Sequence, residues 1–182
     1  MSDPVAHLLA RHRPRDAAEA ADLDRSGALA QAADPWLRSL PLHFTASALV
    51  VHPASARVLL RWHQRQRAWL QVGGHGDPGE TDPVAIALRE GREETGLADL
   101  VPWPDAALLQ VAIVDVSARG DEPDHQHADL RFILATAEPD AARPESPDAP
   151  LRWLTVPEAR EVTAEDNVRD LLARADSLFA AQ

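Results

Sequence analysis

The stretch "GGHGDPGETDPVAIALREGREETGL", residues 73–97, decides how the rest of the chain is read. It opens with a glycine-rich loop, passes Asp82 and Pro83, and ends with three glutamates inside five positions. Asp82 suits a helix N-cap and Pro83 the first helical position, so a helix is predicted over 83–95. At about 100° per residue, Val84, Ala87, Leu88, Gly91 and Thr95 share one face, which is predicted to lie on the core. Glu90, Glu93 and Glu94 fall within an arc of about 100° on the other side. Exposed like charges at helical spacing repel by about 0.2–0.5 kcal/mol per pair. Arg89, at the i−4 position to Glu93, offsets one of them. Taken alone, such a run is a solvated helix end. The glycine-rich loop directly ahead of it changes the reading, because bare backbone can approach a ligand or a metal there. Oxygen-only ligands of this kind suit Mg²⁺, with Mn²⁺ as its substitute.

The wider composition sets limits. At 182 residues the chain is long enough for one domain with a real core. A hydrophobic fraction of 45% and five tryptophans mark a folded globular protein. The net charge of −11 argues against duplex nucleic acid and against an anionic membrane surface. A small phosphorylated molecule stays compatible, provided that a divalent cation bridges the like charges. There is no cysteine, hence no disulfide, thiolate metal site or cysteine nucleophile. No apolar run approaches the roughly 20 residues that span a bilayer, and the first residues lack a signal-peptide core. A cytoplasmic location is expected.

Outward from the opening stretch, the chain divides into a helical N-terminal extension over 1–40 and a mixed α/β domain over 41–182. Residues 3–32 read as two helices broken at "RPRD" (13–16). Their weak apolar stripe fits either a cap packed on the main domain or a contact within a homodimer. Strands are predicted at 44–52, 56–62, 68–72, 107–118, 128–137 and 151–156, with an amphipathic closing helix at 164–180. The economical architecture is an α/β (α+β) fold, a mixed sheet flanked by helices.

The opening stretch resembles the signature of the Nudix hydrolases, the family of MutT-type pyrophosphohydrolases: G-x5-E-x7-R-E-U-x-E-E-x-G-U, with U aliphatic. Gly74 and Glu80 match its first half; Arg89, Glu90, Glu93, Glu94, Gly96 and Leu97 match its second. Many fixed positions at set spacing make a specific signal. Two departures stand out. Eight residues, "TDPVAIAL", separate Glu80 from Arg89 where the family pattern has seven, which puts the part played by Glu80 in question. Gly91 occupies a usually aliphatic position, where it costs about 1 kcal/mol of helix propensity but allows close approach to the sheet.

The resemblance implies a Nudix-type α/β/α sandwich. It also implies a metal site of Glu90, Glu93 and Glu94, joined by a backbone carbonyl of Gly74, with Arg89 orienting Glu93. The implied activity is Mg²⁺-dependent hydrolysis of a nucleoside diphosphate linked to another group, by water attacking phosphorus. Glu90 and the loop acids Asp121, Glu122 and Asp124 are the candidate general bases. A catalytically silent Nudix-like regulatory domain is the competing class, and its usual sign, loss of a motif glutamate, is absent.

A second constellation lies in "DHQHADLRF" (124–132). On a strand, His125, His127, Asp129 and Arg131 point to one face. Three readings are open: a solvated sheet edge, substrate contact by His127, Asp129 and Arg131, or an additional metal site. Certain bacterial Nudix sequences resemble this chain both here and at Trp69–His75. Trp62, Trp69, Trp103 and Trp153 are candidates for stacking on a base, with core packing as the plainer reading. His63 reads as structural. Subfamily markers name no substrate: Ala112 stands where ADP-ribose hydrolases of the family carry proline, and the chain has no tyrosine or cysteine.

Overall fold

A computed structural model describes residues 4–181. Two helices lead, α1 (Pro4–Arg11) and α2 (Ala17–Leu29), separated where "RPRD" predicts a break. Strands β1 (Leu42–His52), β2 (Arg57–His63), β3 (Ala68–Leu70) and β4 (Val72–Gly74) precede α3 (Pro83–Thr95). Then come β5 (Val101–Pro102), β6 (Gln110–Val116), β7 (His125–Ala135), β8 (Leu151–Thr155), α4 (Val156–Val162) and α5 (Asp166–Phe179).

The strands form one mixed sheet with β1 at its centre. β1 runs parallel to β7 from Leu42↔Gln126 to Val51↔Ala135. All other pairings are antiparallel: β2 and β4 share the second edge of β1, β3 and β8 flank β2, and β5 and β6 flank β7. Phe44, Ala46, Ala48 and Val50 of β1 pack with α3, whereas Leu49 and Val51 pack with α4 and α5. The result is helices on both faces of a mixed sheet, as the resemblance implies.

The sequence reading is corrected in three places. Residues 68–72 are not one strand: Trp62↔Trp69 ties β3 to β2, while Ser47↔Gly73 ties β4 to β1. The chain must step between neighbours that have diverged, and it does so at Gln71. Second, α4 follows β8 directly. Its signal is the capping box "TVPE", in which Glu158 accepts from Thr155 N at 2.8 Å. Third, β7 begins at His125, three residues before the predicted start at 128, so both of its histidines belong to the sheet.

α1 and α2 pack as a cap. Val5 and Leu9 are buried in the same core as Leu108 and Val111, each contributing about 1.5–3 kcal/mol by burial. α2 also closes the free edge of β6: Glu19 accepts from Val111 N at 3.1 Å and Asp22 from Ile113 N at 2.9 Å. Glu19 further holds His12 (2.8 Å), the Arg15 amide (2.6 Å) and a bidentate Arg174 (2.7 and 2.9 Å). Burial opposes its charge, but these donors prevail and hold its pKa well below the carboxylate range.

Candidate functional site

α3 starts as its sequence dictates, with Asp82 accepting from Val84 N (3.0 Å) and Ala85 N (3.3 Å) and Pro83 at the first position. It ends at Gly96, whose left-handed φ of 69° closes the last turn. Of the predicted core face, Ala87, Gly91 and Thr95 are buried and Val84 and Leu88 half-buried. A Cβ on Gly91 would stand 3.0 Å from Leu100 Cδ1 and 3.3 Å from Leu134 Cδ1, so glycine permits the close approach. Ile86 departs from the prediction. It is fully buried although it lies in the arc of the glutamates, because the loop after β4 folds over it at Gly76.

Just ahead of that loop, the end of β4 brings backbone against the carboxylates. A Cβ on Gly74 would lie 2.8 Å from the Glu90 carboxyl. Gly73 donates its N–H to Glu94 Oε2 at 3.0 Å, and its φ of +145° would strain any other residue. Arg61 of β2 reaches the other Glu94 oxygen at 3.2 Å. Glu93 is the exposed member of the three, with its side chain 55% accessible.

Arg89 ties the group together. Its guanidinium donates to Glu80 (2.9 Å), Glu90 (2.9 Å), Glu93 (3.1 Å) and the His75 carbonyl (2.8 Å). Glu80 thus reaches the cluster despite the extra residue, which the turn before Asp82 absorbs. Hydrogen bonding to Arg89 lowers the Glu80 pKa, and Glu80 in turn is the largest cause raising that of Arg89. Burial pushes the Glu94 carboxyl up to about 7, against the pull of Arg61 and the Gly73 amide. Burial raises Glu90 as well, with Arg89 opposing. Two carboxyl groups with disfavoured charge, held on bare backbone, form an environment that a cation would relieve.

The second constellation lies on the opposite face of the sheet, beside β4. Asp129 accepts from Thr45 (2.9 Å), Ser47 (2.8 Å) and Arg131 Nε (2.8 Å), with Gln71 at 3.4 Å. Arg131 also donates to Gln110 (3.0 Å) and to the Asn167 side chain at the start of α5 (2.9 Å). Both residues are buried, at 5% and 2% exposure, and their bonds are internal. His127 and His125 instead meet His43 of β1 and His75 of the glycine loop. Burial depresses the pKa of His75 to about 4 and of His127 to about 3, and lowers that of His43. The loop acids sit on this side too. Glu122 pairs with Arg65 at 2.7 Å and lies 3.7 Å from His125, while Asp124 accepts from Ala118 N. Asp121 is exposed in the same turn.

The tryptophans act mainly on one another and on the core. Trp62 and Trp69 meet edge to face at 5.5 Å, Trp103 contacts Phe179, and Trp153 donates to Pro139 O at 3.0 Å. Sequence reasoning missed Arg61, His43, Ser47, Gln110 and Asn167. The alternation His43–Phe44–Thr45–Ala46–Ser47 carried a signal, since its polar residues all fall on one face.

A model of the NUDIX domain matches residues 41–175. The chain belongs to the Nudix hydrolase family, enzymes that act on phosphoanhydride bonds. Solved structures share the fold. A C. elegans Ap4A hydrolase is 19% identical, covers 76% of this chain and 98% of its own, and gives a TM-score of 0.60. The E. coli dihydroneopterin triphosphate pyrophosphohydrolase is 18% identical, with coverages of 74% and 94% and a TM-score of 0.58. A Nudix hydrolase from M. smegmatis is 24% identical, with coverages of 76% and 86% and a TM-score of 0.51. No curated protein sequence matches significantly. Among the described residues no helix is long and apolar enough to cross a membrane.

Proposed function

We propose that the protein is a Mg²⁺-dependent nucleotide pyrophosphohydrolase, cleaving the diphosphate linkage of a nucleoside diphosphate joined to another group. One observation carries the reading: Glu90 and Glu94 press onto the backbone at Gly74 and Gly73, in a cradle that a Cβ would fill. The donor set is oxygen only, which fits Mg²⁺ or Mn²⁺. Glu90, Glu93, Glu94 and the Gly74 carbonyl would hold the ion. Bound there, it supplies Lewis-acid polarisation of a diphosphate oxygen and a lowered pKa for an attacking water.

The chain's own residues do the rest. Arg89 fixes Glu90 and Glu93 relative to each other and anchors the loop through His75 O. Arg61 spends two nitrogens on Glu94 and Glu145, while its buried Nε has no partner among the described residues. A guanidinium so placed beside the carboxylates suits an anionic substrate. Glu90, with its pKa raised by burial, is the candidate base inside the cluster. Substrate contact is proposed for His127, Asp129 and Arg131 on the sheet face beside the loop, which Asp129 and Arg131 would shape through their internal bonds.

The test is a screen of nucleoside diphosphate derivatives with Mg²⁺ and with Mn²⁺, in which the phosphate monoesters formed are read through a coupled phosphatase. Turnover that disappears in Glu93→Gln/Glu94→Gln is expected. Tight nucleotide binding with no turnover of any compound would point to a regulatory domain instead.

A further inference from the structure

Four imidazoles converge beside the glycine loop from three separate segments: His43 on β1, His75 after β4, and His125 and His127 on β7. His43, His125 and His127 each offer a nitrogen, and these lie within 4.8 Å of one another. His75 Nε2 lies 3.0 Å from His43 Nε2, and the Nε2 atoms of His125 and His127 are 3.1 Å apart. Nitrogens on a tetrahedral Zn²⁺ stand about 3.3 Å apart, given Zn–N bonds of about 2.0–2.1 Å.

The tautomers point the same way. His43 Nδ1 is 2.9 Å from Leu40 O, and His125 Nδ1 is 2.9 Å from Pro123 O. A carbonyl only accepts, so each Nδ1 carries the proton and each Nε2 turns a lone pair inward. A backbone carbonyl holding the far ring N–H is the usual support of a metal-bound histidine. Without a cation, N–H groups on His75 and His127 can satisfy those lone pairs. A cation takes the place of both Nε2 protons, and His75 and His127 then carry theirs on Nδ1.

We propose that His43, His125 and His127, with His75 as fourth ligand, form a second metal site for a Zn²⁺-class transition ion, chemically separate from the carboxylate cluster. The donor set is all nitrogen, which suits Zn²⁺ or Co²⁺ and is poor for Mg²⁺. The site stands independently of the hydrolase reading. It has a consequence for the loop, however. The His75 carbonyl is held by Arg89 and its ring would be held by the ion, so metal loading pins the strand end that carries Gly73 and Gly74.

The experiment uses the full chain, stripped with a chelator and then titrated with Co²⁺ and with Zn²⁺ in excess Mg²⁺. Expected are one Zn²⁺ per chain that Mg²⁺ does not displace, the intense visible absorption of tetrahedral Co²⁺, and a raised melting midpoint on loading. His127→Asn should weaken Zn²⁺ binding at least about tenfold, whereas Glu93→Gln/Glu94→Gln should leave it unchanged. Circular dichroism of each metal-free variant checks folding. If His127→Asn does not fold, His75→Asn on the loop carries the same expectation. Absence of Zn²⁺ and Co²⁺ binding, displacement by Mg²⁺, or full retention of affinity in the folded histidine variant overturns the proposal. So does loss of Zn²⁺ binding in the folded glutamate variant.

Discussion

Glu90, Glu93 and Glu94 stand on one helix within five residues, whereas His43, His75, His125 and His127 are assembled by β1, the loop after β4, and β7. The first group is oxygen, organised by Arg89 and pressed on glycine backbone. The second is nitrogen, organised by two backbone carbonyls and the parallel pairing of β1 with β7. The difference is one of contact range. A local cluster follows from helical periodicity alone, while a non-local one needs strand register. The two meet at His75, whose carbonyl belongs to one cluster and whose ring belongs to the other.

The largest effect should come from breaking the oxygen cluster. Glu93→Gln/Glu94→Gln should cut Mg²⁺-dependent turnover by about 10³-fold, the size of several kcal/mol of lost charge stabilisation. Single-turnover formation of the nucleoside monophosphate measures it, and a loss below tenfold would remove these carboxylates from the reaction.

Next in size is the link between the clusters. Arg89→Lys keeps the charge but loses the fork that reaches Glu80, Glu90, Glu93 and His75 O together. If the glutamates hold a metal, turnover should fall about 10–100-fold, the usual loss when a support of metal ligands is removed. Apparent Mg²⁺ affinity should weaken alongside, and unchanged affinity would show that Arg89 does not position the glutamates.

A third test uses protons. The Glu94 pKa is raised from its ordinary 4.5 to about 7 in the folded protein. In metal-free protein its contribution to stability is therefore present below 4.5 and lost as pH rises through about 7. Mg²⁺ needs the charged form. The gain in melting midpoint on adding Mg²⁺ should be small near about pH 5.5 and grow by about pH 8. Glu94→Gln should flatten that dependence; a gain independent of pH in the unaltered protein would separate Glu94 from the ion.

The smallest effect concerns the seat of α3. Gly91→Ala gains about 1 kcal/mol of helix propensity. It also drives a methyl against Leu100 and Leu134, an overpacking that costs about 1–3 kcal/mol. A net loss near 1 kcal/mol should lower the midpoint by about 2–4 °C. A rise in midpoint would mean that the sheet yields to the added methyl.

The same contrast governs what could be read beforehand. The motif, the start of α3 at Asp82, and the close approach at Gly91 are encoded within a few residues of one another. So is the capping box at Thr155. The break between β3 and β4 was hidden, because it depends on where β1 and β2 part. His43 was hidden because its partner strand lies far along the chain. Arg61 gave no local sign that it would face Glu94. Asp129 and Arg131 fall on the predicted face, but their burial depends on Thr45 and Ser47, Gln110, and Asn167, which arrive from three other segments.

The way α2 meets β6 bears on how the chain can be cut. A fragment beginning at residue 41 would keep the whole span matched by the family model. It would also strip Glu19 and Asp22 from the amides of Val111 and Ile113, and leave Arg174 without its main counter-charge. A bared strand edge recruits strands from other molecules. Such a fragment should therefore precipitate or form higher-order species at concentrations where the full chain stays dispersed, even with every motif residue intact. In this protein the leading helices act as a stopper against runaway sheet growth.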